Sequence, residues 1–116
     1  MNRGDVWLIQ LDPTIGDEIG KARPAVVVNN DLVGYLDLRV VVPLTGWKDH
    51  FSKAPWMVRI DPEPSNGLSK TSAADTFQVR SISIRRFAQQ LGKLTDNQMQ
   101  EISFSLAVVF QMDVDL

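Results

Sequence analysis

Residues 16–28 read Gly16-Asp17-Glu18-Ile19-Gly20-Lys21-Ala22-Arg23-Pro24-Ala25-Val26-Val27-Val28, and the change of character half-way along points to the fold class. The first half sets two acids between two glycines, the make-up of a loop that can bend and move. Pro24 bars its predecessor from helical geometry, so the chain enters the apolar run that follows already extended. That run, rich in β-branched residues, reads as a buried strand. Arg23 therefore stands where a mobile loop meets a rigid sheet. A guanidinium fixed there stays charged at any working pH and offers a planar fork of donors, which suits recognition of phosphate or carboxylate, or chemistry on them. The alternative is an exposed arginine on an edge strand.

Outward from this stretch the pattern is of further short strands. Val6 to Leu11 is apolar and ends at Asp12-Pro13, Pro24 to Val28 stops at Asn29-Asn30-Asp31, and Leu38 to Pro43 is a third strand. Trp56 to Ile60 alternates, with Trp56, Val58 and Ile60 on one face and Asp61-Pro62 closing it. After the turn signal Ser65-Asn66-Gly67, Ser72 to Arg80 reads as extended and Phe87 to Leu91 as a last strand. Thr95-Asp96-Asn97-Gln98 has the form of a capping box, and Met99, Ile102, Leu106 and Val109 then fall on one helical face, which packs on the sheet. Phe104 and Val108 make a second apolar line, either a subunit contact or the mark of a helix set unusually deep. The expected architecture is mainly β: a small barrel of five to seven short strands with a C-terminal helix, rather than a doubly wound α/β sheet.

A chain of 116 residues with 44% hydrophobic content can bury a core without staples, and it is expected to form one domain over residues 1–116. It has no cysteine, which removes disulfides, thiolate metal sites and a Cys nucleophile. Met1-Asn2-Arg3-Gly4-Asp5 carries charge at once and leads into no long apolar run, so neither a signal peptide nor a membrane span is expected and the cytoplasm is the simplest location. The formal net charge of -2 argues against indiscriminate binding to nucleic acid while leaving room for a local basic patch.

Candidates for chemistry are few. His50 is the only histidine, and the carboxylates Asp12, Asp17, Glu18, Asp31, Asp37, Asp49, Asp61, Glu63 and Asp75 form no dense constellation in sequence, so no metal or cofactor is expected. No Walker, dinucleotide-binding or G-x-S-x-G motif occurs. Thr45 follows Val40-Val41-Val42-Pro43-Leu44 and precedes Gly46, so its hydroxyl leaves the sheet where a loop with Trp47, Lys48, His50, Phe51 and Lys53 begins. Aromatics interleaved with lysines can stack bases and hold phosphates, or Trp47 and Phe51 can simply cover the barrel. Farther on, Lys70, Arg80, Arg85 and Arg86 add positive charge, either for nucleic acid or as a solvated face, and Gln78 is placed to read a base edge from a strand.

Five short motifs in order carry a resemblance. Arg3-Gly4-Asp5-Val6-Trp7 opens the chain, Gly16 to Pro24 runs into Ala25-Val26-Val27-Val28-Asn29-Asn30, Pro43-Leu44-Thr45 follows, and Gly67-Leu68-Ser69-Lys70 and Gln78-Val79-Arg80 lie downstream. In these the chain resembles the MazF/PemK family of toxin endoribonucleases from bacterial toxin–antitoxin pairs, over nearly its whole length. The resemblance implies an SH3-like barrel, a homodimer, and cleavage of single-stranded RNA in a groove that the acidic C-terminal segment of a cognate antitoxin closes. It assigns catalysis to Arg23 and Thr45. Asp17, Glu18, Lys21, Trp47, Lys48, Gln78 and Arg80 are the expected RNA contacts. Three positions depart from the family's pattern: Asp17 where relatives often have serine, Gly46 where a second hydroxyl is frequent, and Phe77 where some members carry an aspartate. Asp75, two residues away, is not its replacement. Relatives by fold that poison DNA gyrase without catalysis, and an inactive peptide-binding barrel, are the competing expectations.

Overall fold

The computed structural model describes residues 1–34 and 36–113. Seven strands form one antiparallel sheet: β1 (Asp5–Gln10), β2 (Ala22–Val27), β3 (Leu38–Gly46), β4 (Met57–Ile60), β5 (Ser72–Asp75), β6 (Arg80–Ser83) and β7 (Phe87–Lys93). A single α-helix, α1 (Asp96–Val109), follows. The strands run in the order β4-β5-β3-β2-β1-β7, with β6 also beside β3. The loop after β4 reaches β7, where the Lys93 amide donates to the Ser65 carbonyl at 2.8 Å, so the two ends of this order meet. Glycine permits that approach. A Cβ at Gly67, whose φ is +68°, would lie 2.1 Å from the Leu91 carbonyl oxygen, and one at Gly92 would lie 2.4 Å from the Ser65 carbonyl.

The unbroken apolar runs have a structural reason. Val26, Val28, Val42 and Leu44 point into a core closed by Met99 and Ile102 of α1, while Ala25, Val27 and Val41 join Ile9, Leu11 and Ile82 in a second core on the other face. The middle strands are thus covered on both sides, and alternation disappears from their sequence. α1 begins as its sequence predicts. Thr95 Oγ1 accepts from the Gln98 amide at 3.2 Å and Gln98 Oε1 accepts from the Thr95 amide at 2.9 Å. Met99 and Ile102 are buried, Phe104 and Val108 remain exposed on the second line, and the hydroxyl of buried Ser105 donates to the Pro55 carbonyl.

Three strand expectations are corrected. Ser72 to Arg80 is not one extended segment, because Asp75 Oδ1 captures the Phe77 amide at 3.2 Å and Thr76 turns back to the Trp56 carbonyl, folding Thr76–Gln78 into a 3₁₀ turn between β5 and β6. Trp56 does not share the buried face of Val58 and Ile60. The strand starts only at Met57, and the exposed Trp56 ring packs edge-on against Phe77 at 6.1 Å. β3 runs on past Pro43 to Gly46, because it changes neighbours there. Its pairing with β2 ends at Pro43, and Leu44–Gly46 pair instead with Ser72–Ala74 of β5.

Candidate active site

The β2–β3 ladder pairs Val27 with Val41, Val26 with Val42 and Ala25 with Pro43, and stops there. Pro24, next along β2, has no N–H to contribute. Arg23 lies two residues before the last paired position of β2 and Thr45 two residues after that of β3, so both sit just beyond the end of this ladder, although 22 positions of sequence separate them. Both line a cleft of about 220 Å³, together with Lys21, Gly46, Ser69 and Lys70. Arg23 is half-buried at the start of β2, paired through its backbone with Ile9 of β1, and its Nε donates to the Gly20 carbonyl at 3.4 Å. Thr45 is held by pairing with Ala73, and its hydroxyl takes part in none of the hydrogen bonds among the described residues. One end of the site is thus a loop–strand junction and the other the last residues of β3, where that strand pairs with β5.

The electrostatics of this cleft are one-signed. Among the described residues the ion pairs are Met1 with Asp5 and Arg59 with Asp61, so no carboxylate neutralises Lys21, Arg23 or Lys70. Among the described residues the cleft's lining contains no carboxylate and no imidazole. Such a surface attracts an anion. The glycine at 46 contributes by what it lacks, since a Cβ there would come within 3.2 Å of Lys70 Nζ. Ser69 and Lys70 belong to one of the sequence motifs, and Lys70 to its positive charges, but neither was among the expected site residues. Their only local signal is a lysine after the Gly67-Leu68 turn, and it takes the β3–β5 pairing to bring that turn beside Thr45.

The other expected contacts divide. Asp17, Glu18, Gln78 and Arg80 line a second cleft of about 470 Å³, with Pro43 and the exposed Phe77 on its walls. Gln78 is not free to read a base there: Oε1 accepts from the Ile19 amide at 2.6 Å and Nε2 donates to the Asp17 carbonyl at 3.1 Å. Arg80 donates to the Leu11 carbonyl at 3.2 Å. Trp47 and Lys48 line neither cleft. Trp47 instead meets Phe51 edge-on at 5.8 Å and carries the Arg59 guanidinium over its ring at 5.7 Å, the covering role. Asp75 is 5% exposed and also lines neither cleft. Burial pushes its carboxyl up from 3.8, against the opposing pull of hydrogen bonds from Phe77 and Gln78. Among the described residues no three His, Cys, Asp or Glu side chains come together as a metal site would require.

Residues 2–110 match the family described as PemK-like, MazF-like toxin of type II toxin-antitoxin system. The chain belongs to this toxin family. The Endoribonuclease MazF9 of Mycobacterium tuberculosis (strain ATCC 25618 / H37Rv) is 31% identical to it over 113 residues, covering 91% of this chain and 92% of the relative. Among solved structures, MazF from Deinococcus radiodurans superposes with a TM-score of 0.80 at 24% identity, over 97% of each chain. An endoribonuclease from a mycobacterial species, in complex with its cognate antitoxin, superposes with a TM-score of 0.77 at 22% identity over 99% of each chain. At these identities the structural matches speak to the fold, and the barrel with its C-terminal helix is that of MazF toxins. Within the toxin's own geometry, Arg23 and Thr45 share one cleft.

Proposed function

We infer that this single-domain toxin is a sequence-specific endoribonuclease that cleaves single-stranded RNA. The reading is carried by one observation: Arg23 and Thr45, distant in sequence, converge in a cleft whose positive charges have no carboxylate partner among the described residues. The nucleophile is the substrate's own 2′-hydroxyl, held beside the phosphorus, so that proximity supplies much of the acceleration. As it attacks, negative charge grows on the phosphoryl oxygens. The Arg23 guanidinium stabilises that charge and the unpaired Thr45 hydroxyl donates to it, while Lys70 and Lys21 hold the flanking phosphates. Arg23 is not the general base, because a guanidinium is already protonated and has no free lone pair to accept with. With no carboxylate or imidazole on the cleft wall among the described residues, the 2′-hydroxyl proton passes to water, and Arg23 gives a proton to the departing 5′-oxygen.

The products are a 2′,3′-cyclic phosphate and a 5′-hydroxyl, and no metal takes part: the chain has no cysteine and one histidine, and among the described residues no three His, Asp or Glu side chains come together. Substituting only the nucleotide 5′ to the scissile bond with its 2′-deoxy form stops cleavage and spares binding, because the phosphates and bases that dominate affinity stay in place. Mass spectrometry of the fragments, with and without excess EDTA, decides. A 5′-phosphate product, a cleaved deoxy substrate or loss of activity on chelation overturns the mechanism.

The toxin acts as a homodimer and is inhibited by an antitoxin whose acidic segment occupies the same one-signed cleft. Phe104 and Val108 of α1 and the C-cap Phe110 are exposed, an apolar surface suited to a second copy. No helix among the described residues is long and apolar enough to cross a membrane, and the RNA substrate makes the cytoplasm its place of action.

A further inference from the structure

Gln78 spends its whole carboxamide on holding other parts of the protein. Its Oε1 accepts from the Ile19 amide at 2.6 Å, and its Nε2 donates to the Asp17 carbonyl at 3.1 Å and to Asp75 Oδ2 at 3.3 Å. One side chain thus meets loop residues 17 and 19 much as a neighbouring strand would, with one donor and one acceptor. Asp75 decides which way round the amide sits. A carboxylate only accepts, so the NH₂ end faces it and the carbonyl end is left for Ile19. The other Asp75 oxygen accepts from the Phe77 amide at 3.2 Å and shapes the turn that carries Gln78.

The loop between β1 and β2 has little else to hold its middle. Ile15, Asp17 and Glu18 are exposed, the bonds between Ile15 and Glu18 are internal to the loop, and Leu11 with Lys21 closes only its base. Among the described residues, Gln78 makes the hydrogen bonds that join residues 14–19 to another element, beside the packing of Ile19 on the second core. Ile19 leads directly to Gly20, whose carbonyl receives Arg23 Nε at 3.4 Å. A short chain of contacts therefore runs from a buried carboxylate through Gln78 and the loop to the guanidinium. Asp17 and Glu18 line one cleft and Lys21 and Arg23 the other, so this loop separates the two.

We propose that Asp75 and Gln78 form a latch that holds the β1–β2 loop as the wall between the two clefts and thereby positions Arg23. Gln78 is then a positioning residue and not a reader of bases. The effect on rate rests on the nuclease reading; the effect on the loop does not.

Two near-isosteric variants test it. Gln78→Glu puts an acceptor against the Asp17 carbonyl and the Asp75 carboxyl. Asp75→Asn, with its oxygen kept for the Phe77 amide, turns a donor towards the Gln78 donor. Hydrogen exchange of the full chain without RNA is expected to show protection of residues 14–20 falling roughly tenfold in both variants, with β3 and β5 unchanged. In RNA cleavage, kcat is expected to fall roughly tenfold or more, as displaced catalytic groups cause, with KM and the cleaved sequence unchanged. Asp75 is buried and cannot touch RNA, so its variant separates positioning from contact. Unchanged loop exchange in the folded variants overturns the latch. So does a change of cleaved sequence or KM in Gln78→Glu that Asp75→Asn does not share. If Asp75→Asn fails to fold, Gln78→Glu decides on exchange. If the wild type cleaves no RNA, the nuclease reading fails while the exchange experiment still judges the latch.

Discussion

Replacing Thr45 by valine isolates a single hydroxyl. Valine keeps the β-branched shape that suits a strand and leaves the backbone pairing with Ala73 intact. The lost oxygen has no hydrogen bond among the described residues, so no partner is left stranded and stability should stay within about 0.5 kcal/mol. Cleavage should respond quite differently. If the hydroxyl donates to the phosphoryl oxygen as charge develops, its removal costs roughly 100- to 1000-fold in kcat, or about 3–4 kcal/mol of transition-state stabilisation. KM should barely move, because the interaction strengthens only in the transition state. Single-turnover cleavage of a synthetic RNA containing the preferred site, run beside a thermal melt, measures both quantities. A variant that melts like wild type and cleaves within a factor of three of it refutes the role given to Thr45. A raised KM with unchanged kcat refutes it as well, since that is the mark of a ground-state contact.

Arg23→Ala is expected to abolish cleavage while retaining the fold, because the side chain is half-buried at a strand end and its truncation opens no core cavity; an unfolded variant in the melt makes the residue structural instead. Asp75 gives a pH signature. Its folded pKa is raised by burial, so its contribution to stability is fully present below the unfolded value of 3.8 and is lost as the pH rises through the folded value. Denaturant titrations across that window should therefore show stability shifting in favour of Asp75→Asn relative to wild type as the pH rises, and a pH-independent difference contradicts the assignment. Phe104→Glu combined with Val108→Glu places charge on the exposed line of α1 and should convert a dimer to monomers in sedimentation, whereas a persistent dimer moves the interface elsewhere.

Much of the site was legible because its signals are local. Pro24 announces the entry to β2, and the hydroxyl of Thr45 after an apolar run announces the end of the core-facing stretch of β3. The capping box at Thr95 is a four-residue pattern, and it forms with both of its hydrogen bonds. The strand misreadings arise where a side chain outcompetes the ladder. Asp75 takes the Phe77 amide and ends β5 early, although the residues around it carry no breaker. Likewise Trp47 reads equally as a base-stacking platform and as a cover, until Phe51 and Arg59 are seen against its ring.

By itself the sequence determined most of the elements and pointed to Arg23 and Thr45 as candidates for chemistry, since turn chemistry, apolar runs and capping act over a few neighbouring positions. Which of those residues meet was decided by the tertiary structure. Arg23 and Thr45 share a cleft because both lie just beyond the end of the β2–β3 ladder, and Lys70 joins them because β3 changes partner from β2 to β5. The task of Gln78 emerges only from packing. A glutamine beside an aspartate three positions away has no fixed meaning in a sequence until a loop 60 residues earlier in the chain lies close enough to bond it. Register and strand order are collective properties of the folded barrel, set by which faces must be buried together, and no short window of the chain contains them.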